Sequence, residues 1–222
     1  MKTGVFSDHE IREALKNGQI IISPFHDSQL NTSSYDVTLG EQFYVCQADD
    51  FQTDFNPYDK KDVERYYKGP LRAVTNKEWC EEHRGGKLWK NIPAKQKIIV
   101  LKPGECILSH TQEFIGAVHH ATTMMHARSS IGRVNISTCD DAGWGDIGYF
   151  NRWTMEVRNK NKIHVPIPVG ECVGQIIFFH AGQSDRHYGL EGRYQKGTEL
   201  RQLTKNWVPE QMLPKLYERK RG

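Results

Sequence analysis

Ile98-Ile99-Val100-Leu101-Lys102-Pro103-Gly104-Glu105-Cys106-Ile107-Leu108-Ser109 decides the fold class. Two apolar runs flank four residues in which Pro103 presets its own φ and Gly104 supplies the positive φ of a tight turn. Each run is too short for a helix, and the first is rich in branched side chains that fit a pleated surface. The same grammar returns at 163–167, Pro168-Val169-Gly170-Glu171 and 172–179. Working outward, residues 20–22, 35–39, 43–46 and 153–157 read as further short strands. Strands at this spacing predict a mainly β, mainly antiparallel protein: a sandwich, a distorted barrel or a jelly roll.

The beginning of the chain has another period. In Phe6-Ser7-Asp8-His9-Glu10-Ile11, Ser7 can cap a helix, Glu10 completes a capping box, and Phe6 can staple onto Ile11. Ile11, Ala14 and Leu15 then share a face, and Gly18 ends the helix. Residues 47–97 break the strand pattern with Asp, Lys, Tyr and Trp in weak periodicity, and read as an irregular insertion. Tyr66, Tyr67, Trp79 and Trp89 give it enough apolar mass to pack on the core. After Pro209 a short helix is expected, with Met212, Leu213 and Leu216 on one side; a subunit-docking arm fits the same residues. We read one domain over 1–222, with the insertion at about 47–97 and a lid or docking segment at about 183–222.

Lys and Arg number 30 against 27 Asp and Glu, a net charge of +3, which declares no preference for nucleic acid or membrane. The basic excess lies late in the chain: from Gln183 onward there are nine Lys/Arg and five Asp/Glu. Such a tail is either a solvated face or a segment that closes over an anionic ligand. No apolar run approaches the roughly 20 residues of a membrane-spanning helix, and Met1-Lys2-Thr3-Gly4 opens no signal peptide. The five cysteines form no C-x-x-C pair, against both a disulfide framework and a zinc ribbon. A soluble cytoplasmic protein with reduced thiols is expected.

Unusual residues concentrate between 127 and 159. In Ala127-Arg128-Ser129-Ser130-Ile131-Gly132-Arg133, two arginines around paired serines suit a polyphosphate, because guanidinium forks hold oxygens bidentately and hydroxyls add hydrogen bonds. An exposed turn explains the string equally well when it is taken alone. Glu156 sits mid-strand between Met155 and Val157; if those two face the opposite side, its own face is either an apolar core or a cleft, and a structural role in a core would require a cation such as Arg158 on the same face. His119, His120 and His126 lack acidic or sulfur ligands at metal-binding intervals and read as ordinary histidines. Tyr194, Trp207 and Tyr217 read as packing residues rather than base-stacking platforms.

The spacing supplies a context. This string, then Ala142-Gly143-x-x-Asp146-x-Gly148-Tyr149, then Glu156, then Gly174-Gln175 resemble in order the dCTP deaminase branch of the dUTPase-like superfamily. Ser7-Asp8-x-x-Ile11-Arg12, Ile22-x-Pro24 and Ser34-Tyr35-Asp36-Val37-x-Leu39-Gly40 are similar to its amino-terminal signature. Leu101-x-Pro103-Gly104-Glu105 and Gly192-Arg193-Tyr194-Gln195-x-Gly197 resemble its strand-turn and its closing segment. The ordered matches cover 1–46 and 98–198. The resemblance implies a distorted β jelly roll, or dUTPase-like β-clip, that forms homotrimers with active sites shared between subunits. It also implies a Mg2+ ion bound through the triphosphate of dCTP, with no metal ligand from the protein, and no nucleic-acid or membrane partner.

Carried onto matching positions, Glu156 would be the general acid/base and Ser129 would orient the attacking water. Arg133 would hold substrate across the interface, Ala142 would face the pyrimidine edge, and Asp146 the 3′-hydroxyl. Arg128, Ser130, Gln175 and Tyr194 would line the phosphate side or its lid. The chemistry agrees, since one carboxylate can take a proton from water and return it to the ring nitrogen and leaving amine. The H-x-E and P-C-x-x-C strings of zinc deaminases are missing from the sequence, so a zinc-independent reaction is expected. The chain departs from the family pattern in having Cys139 and Asp141 where a His and a Thr are usual, in His126-Ala127 before Arg128, and in a shortened closing segment. Deamination of dCTP to dUTP and ammonia, with or without continuation to dUMP and pyrophosphate, is the leading function. A dUTPase-type pyrophosphatase, with Asp146 positioning water, and a non-catalytic nucleotide sensor are the alternatives.

Overall fold

Each run read as a strand holds one in the computed structural model, which describes residues 3–46, 53–140 and 142–218. Those described residues form twelve strands. They are β1 (Ile20–Ser23), β2 (Tyr35–Cys46), β3 (Tyr67–Arg72), β4 (Val74–Thr75), β5 (Lys97–Leu101) and β6 (Cys106–Ala117), followed by β7 (Ala121–Ala127), β8 (Ile136–Thr138), β9 (Trp144–Gly145), β10 (Phe150–Asn159), β11 (Val165–Pro168) and β12 (Cys172–His180). The helices are short: α1 (Asp8–Lys16), α2 (Lys60–Tyr66), α3 (Asn76–His83), α4 (Ser129–Arg133), α5 (Tyr188–Glu191) and α6 (Leu200–Asn206).

Nine strands form one curled antiparallel sheet in the order β8-β10-β6-β2-β12-β7-β9, with β1 added to β6 and β3 to β2. The runs 35–39 and 43–46 are a single strand that changes partner along its length. Tyr35 to Thr38 pair with β12, whereas Leu39 to Val45 pair with β6, across a register irregularity. This exchange wraps the sheet around one core that includes Val37, Leu39, Ile107, Ile115, Met155, Val157 and Ile176. Burial of each such aliphatic side chain contributes about 1.5–3 kcal/mol.

Both tight turns form as read. Glu105 N–H donates to Lys102 O at 3.1 Å and Glu171 N–H to Pro168 O at 3.1 Å, with Gly104 and Gly170 at φ 72° and 87°. Neither closes a hairpin. β5 and β11 pair with each other, and β5 also pairs with β4, in a separate three-stranded sheet, while β6 and β12 belong to the large one. Each turn is therefore a corner that passes the chain between sheets. Turn chemistry fixes the local reversal; which faces are apolar fixes the partner.

α1 has the expected ends. Ser7 and Glu10 make both halves of the capping box, and Ile11 and Ala14 are buried. At the other end Gly18 N–H reaches Leu15 O and Gln19 N–H reaches Ala14 O, which satisfies carbonyls the helix leaves open. The insertion packs on the core as expected, yet it is more regular than its weak periodicity suggests. β3 lies antiparallel to β2, with Phe43 opposite Leu71 and Cys46 opposite Tyr67, and β4 adds to β5. Buried Asn76 organises the remainder: its Oδ1 accepts from Trp89 N–H at 3.3 Å and its Nδ2 donates to Ile92 O at 2.7 Å. Residues 47–52 of the insertion lie outside the described residues.

The helix expected after Pro209 is a single 3₁₀ turn, Pro209–Met212. Pro214 disfavours continued helix at Leu213. The segment nonetheless docks by its apolar side: Met212 and Leu213 join Tyr44 and Leu108, and Trp207 lies 4.6 Å from the ring of His110 and 4.8 Å from the Arg152 guanidinium. It covers the face of the large sheet that points away from the main core.

Candidate active site

Alternation along β10 settles where Glu156 points. Met155 and Val157 are fully buried in the main core, so Thr154, Glu156 and Arg158 occupy the opposite face. There Glu156 stands across from Leu108 of β6, and Leu108 from Tyr44 of β2, in one row; Arg158 stands across from Cys106 in the next. A cleft of about 360 Å³ opens over this face, lined by Glu156, Ala142, Asp146, Tyr194, Tyr67 and Leu108, among others. Tyr149, with its ring 5.2 Å from those of Trp153 and Tyr188, stiffens one wall.

The Ala-Gly segment is held by its backbone. Met125 N–H donates to Gly143 O at 2.7 Å, and a Cβ on Gly143 would fall 2.3 Å from Met125 O, so only glycine lets the chain lie this close to β7. That contact sets Ala142 at the cleft. Asp146 begins a turn in which Tyr149 N–H returns to Asp146 O at 3.0 Å, leaving the carboxylate exposed at the rim.

Cys139 does not line this cleft. It is buried at φ 52°, its N–H donates to Glu156 O at 3.2 Å, and its Sγ donates to Thr154 O at 3.6 Å. Burial, then the nearby Glu156, pushes its thiol far up, so Cys139 is a neutral brace behind β10. Asp141 lies outside the described residues.

A second cleft, of about 540 Å³, has different chemistry. Arg128, Ser129, Ser130, Arg133 and Gln175 line it, together with Asp36. Arg128 Nε meets Asp36 Oδ2 at 2.9 Å, and Asn31 Nδ2 donates to Asp36 Oδ1 at 3.0 Å. Burial raises the Asp36 pKa, and Arg128 and Asn31 act against that rise. Ser129, Ser130 and Arg133, on α4, are exposed. The cleft thus presents two guanidinium groups and three serine hydroxyls, Ser34 included, around one buried acid.

A profile of the dCTP deaminase-like family matches residues 5–181. The chain belongs to this family. It is 24% identical over 209 residues to a Nanoarchaeum equitans protein named dCTP deaminase, dUMP-forming, with 92% of this chain and 100% of the relative covered. To a Methanosphaera stadtmanae protein of the same name it is 29% identical over 194 residues, with 86% and 87% covered. The crystal structure of 2′-deoxycytidine 5′-triphosphate deaminase from Agrobacterium tumefaciens aligns with 82% of this chain at a TM-score of 0.57 and 17% identity, which shows a shared fold. The alignment spans 49% of that longer chain.

Within the single chain of this dCTP deaminase-like protein, the residues singled out in the sequence fall into two groups. Ala142, Asp146, Glu156 and Tyr194 share the first cleft, while Arg128, Ser129, Ser130, Arg133 and Gln175 share the second; no residue lines both. Tyr194, expected on the phosphate side or its lid, lines the cleft that holds Glu156. Its carbonyl accepts from Asn151 Nδ2 at 3.1 Å and its hydroxyl from Lys215 N–H at 3.2 Å, which fixes it over β10.

The roles of two site residues escaped the sequence reading. Gln195 is buried, its Oε1 accepting from Phe150 N–H at 2.8 Å and its Nε2 donating to Gly148 O at 2.9 Å, so it ties the late segment to the turn that carries Asp146. Tyr67 brings the insertion into the Glu156 cleft. For Gln195 the signal was its place in the closing-segment resemblance, where it carried no role of its own. For Tyr67 the signal was its aromatic mass, read only as packing.

Proposed function

We propose that the chain deaminates dCTP to dUTP and ammonia and hydrolyses dUTP onward to dUMP and pyrophosphate, in sites shared between the subunits of a homotrimer. The observation that carries this reading is the division of the family's signature residues between two chemically complementary clefts. One holds a half-buried carboxylate among aromatic rings, suited to a base; the other holds arginines and hydroxyls, suited to a triphosphate. The Glu156 cleft of one subunit and the Arg133 cleft of its neighbour together make one complete site. Continuation to dUMP follows the relatives named as dUMP-forming.

In this site Ala142 faces the pyrimidine edge, Asp146 accepts from the 3′-hydroxyl, and Tyr194 closes over the nucleotide. The neighbour's Ser129 orients a water towards C4. Glu156 takes a proton from that water as the oxygen attacks, delivers it to the ring nitrogen, and passes the second proton to the amine that leaves as ammonia. Arg128, held by Asp36, joins Ser130, Arg133 and Gln175 on the phosphates. Among the described residues no three His, Cys, Asp or Glu side chains gather to hold a metal. The one acid of the phosphate-side cleft, Asp36, is engaged by Arg128 and Asn31, which fits a Mg2+ that would arrive with the triphosphate and offset its charge. No helix among the described residues is long and apolar enough to cross a membrane, and we place the activity in the cytoplasm with its nucleotide substrate.

The test is to incubate the protein with Mg-dCTP and resolve ammonia, dUTP, dUMP and pyrophosphate. Ammonia and dUMP are expected from the unaltered protein. Glu156→Gln keeps the shape of the site but cannot accept the proton. Its deamination is expected to fall by ~10²–10⁴ while Mg-dCTP still binds, and dUTP hydrolysis is expected to survive better. Undiminished deamination by Glu156→Gln would remove this residue from the mechanism.

A further inference from the structure

β2 and β6 pair with Tyr44 opposite Leu108 and Val45 opposite Ile107. The next step of this register sets Cys46 directly across from Cys106. The outer strands continue the row, Tyr67 opposite Cys46 and Arg158 opposite Cys106. Opposed residues of an antiparallel pair have Cα atoms ~4.5–5.5 Å apart, inside the ~4.4–6.8 Å range of disulfides. Both cysteines are half-buried and reduced, so small reagents reach them. Both line a cavity of about 380 Å³ that shares Tyr67, Leu108 and Glu156 with the Glu156 cleft.

We propose that Cys46 and Cys106 are a redox-active dithiol site that takes a low-molecular-weight disulfide of the glutathione class as oxidant, and that its closure shuts down the adjoining Glu156 cleft. The second half rests on the acid/base role proposed for Glu156. The two thiols differ in readiness. The S–H of Cys46 hydrogen-bonds to Cys106 and, with the Arg158 guanidinium, holds the Cys106 thiol below its ordinary pKa despite its burial; Cys46 is correspondingly pushed up. The Cys106 thiolate therefore attacks first, forming a mixed disulfide and expelling one thiolate of the reagent, which takes a proton from solvent. Cys46 then loses its proton, attacks the Cys106 sulfur and expels the second thiol. Two protein thiols are oxidised and one reagent disulfide is reduced to two thiols.

The closed bridge ties up the Cys106 sulfur that faces Arg158, which follows Glu156 by two residues on the same face of β10. Arg158 Nε otherwise approaches Asp140 Oδ2 only at 4.0 Å. Freed from Cys106, the guanidinium turns to the Glu156 carboxylate and holds it ionised, which opposes its uptake of the water proton.

The full chain is treated with oxidised glutathione, its remaining free thiols are alkylated, and its peptides are mapped by mass. In parallel, Mg-dCTP deamination is measured before oxidation, after it, and after dithiothreitol. A Cys46–Cys106 bridge is expected, lighter by two hydrogens, with a loss of deamination approaching the ~10²–10⁴ that general acid/base catalysis contributes and recovery on reduction. Cys46→Ser, with no resolving thiol, is expected to stop at the mixed disulfide on Cys106. In the parent, free thiols, mixed disulfides or another pairing would overturn the dithiol site, and a mapped bridge with unchanged deamination would overturn its control of the cleft. Because mapping needs no turnover, a reduced protein that never deaminates dCTP would refute the proposed function and leave the dithiol result standing.

Discussion

His110 shows how much of this protein depends on single buried polar groups. Its Nε2 accepts from Gln42 N–H at 3.4 Å and its Nδ1 donates to Thr111 O at 2.9 Å, so the ring is neutral with both nitrogens occupied. Burial pushes its pKa down to about 4. As pH falls from about 6.5 towards about 4, the unfolded chain takes the proton first, so this site removes stability across that window, by about 3 kcal/mol in full. Urea unfolding at pH 7 and at pH 4.5 is expected to show a smaller acid loss for His110→Gln than for the parent. A second pair of variants separates binding from folding. Arg128→Ala strands the buried Asp36 carboxylate and is expected to cost about 1–3 kcal/mol of stability, the partial exposure of Arg128 keeping the effect below that of a fully buried pair. The exposed Arg133→Ala is expected to unfold within about 0.5 kcal/mol of the parent; both variants bind Mg-dCTP more weakly by isothermal titration. At this scale the sequence was half legible. Glu156 stood out by its place in the ordered resemblance, while its alternation with Met155 and Val157 left open which face is the core; nothing near Asp36 foretells that it holds Arg128, since that contact joins segments far apart in sequence.

Elements were legible where local chemistry specifies them. The α1 capping box and the two glycine turns needed no tertiary information. β7 was missed because Thr122-Thr123-Met124-Met125-His126 has no clean alternation, and only its pairing with β12 makes it a strand. The pairing of β5 with β11 was equally hidden, because a turn records that the chain reverses but not which strand receives it. The insertion lies outside the matched motifs, yet β3 delivers Tyr67 to the cleft. Tyr67→Ala is expected to raise the KM for dCTP several-fold, about 1 kcal/mol of lost ring contact, with a smaller change in kcat; steady-state kinetics on dCTP separates the two constants. Trp207→Ala, which strips the cover from His110 and Arg152, is expected to lower stability by about 2 kcal/mol, less than for a fully buried tryptophan, as read by denaturant titration.

For the whole molecule, the proposed division of one site between two clefts of neighbouring chains would make assembly part of catalysis. Spacing along one chain cannot show this, because it does not say whose Ser129 meets whose Glu156. Arg133→Ala and Glu156→Gln are each expected to be nearly inactive alone. If they are denatured together and refolded as mixed trimers, sites that pair an intact Glu156 with a neighbour's intact Arg133 reappear. Random mixing makes them about one quarter of all sites, and the ammonia release rate should recover to roughly that fraction; no recovery would place both residues in one subunit's site. A further consequence follows from the walls of the Glu156 cleft, which come from Tyr67, Leu108, Ala142, Glu156, Tyr188 and Met212. A ribosome reading this message has translated nearly all of it before the last wall exists. A chain stalled earlier holds Glu156 without its cover, so a truncated product is not a slower deaminase but a sheet with one face open to water.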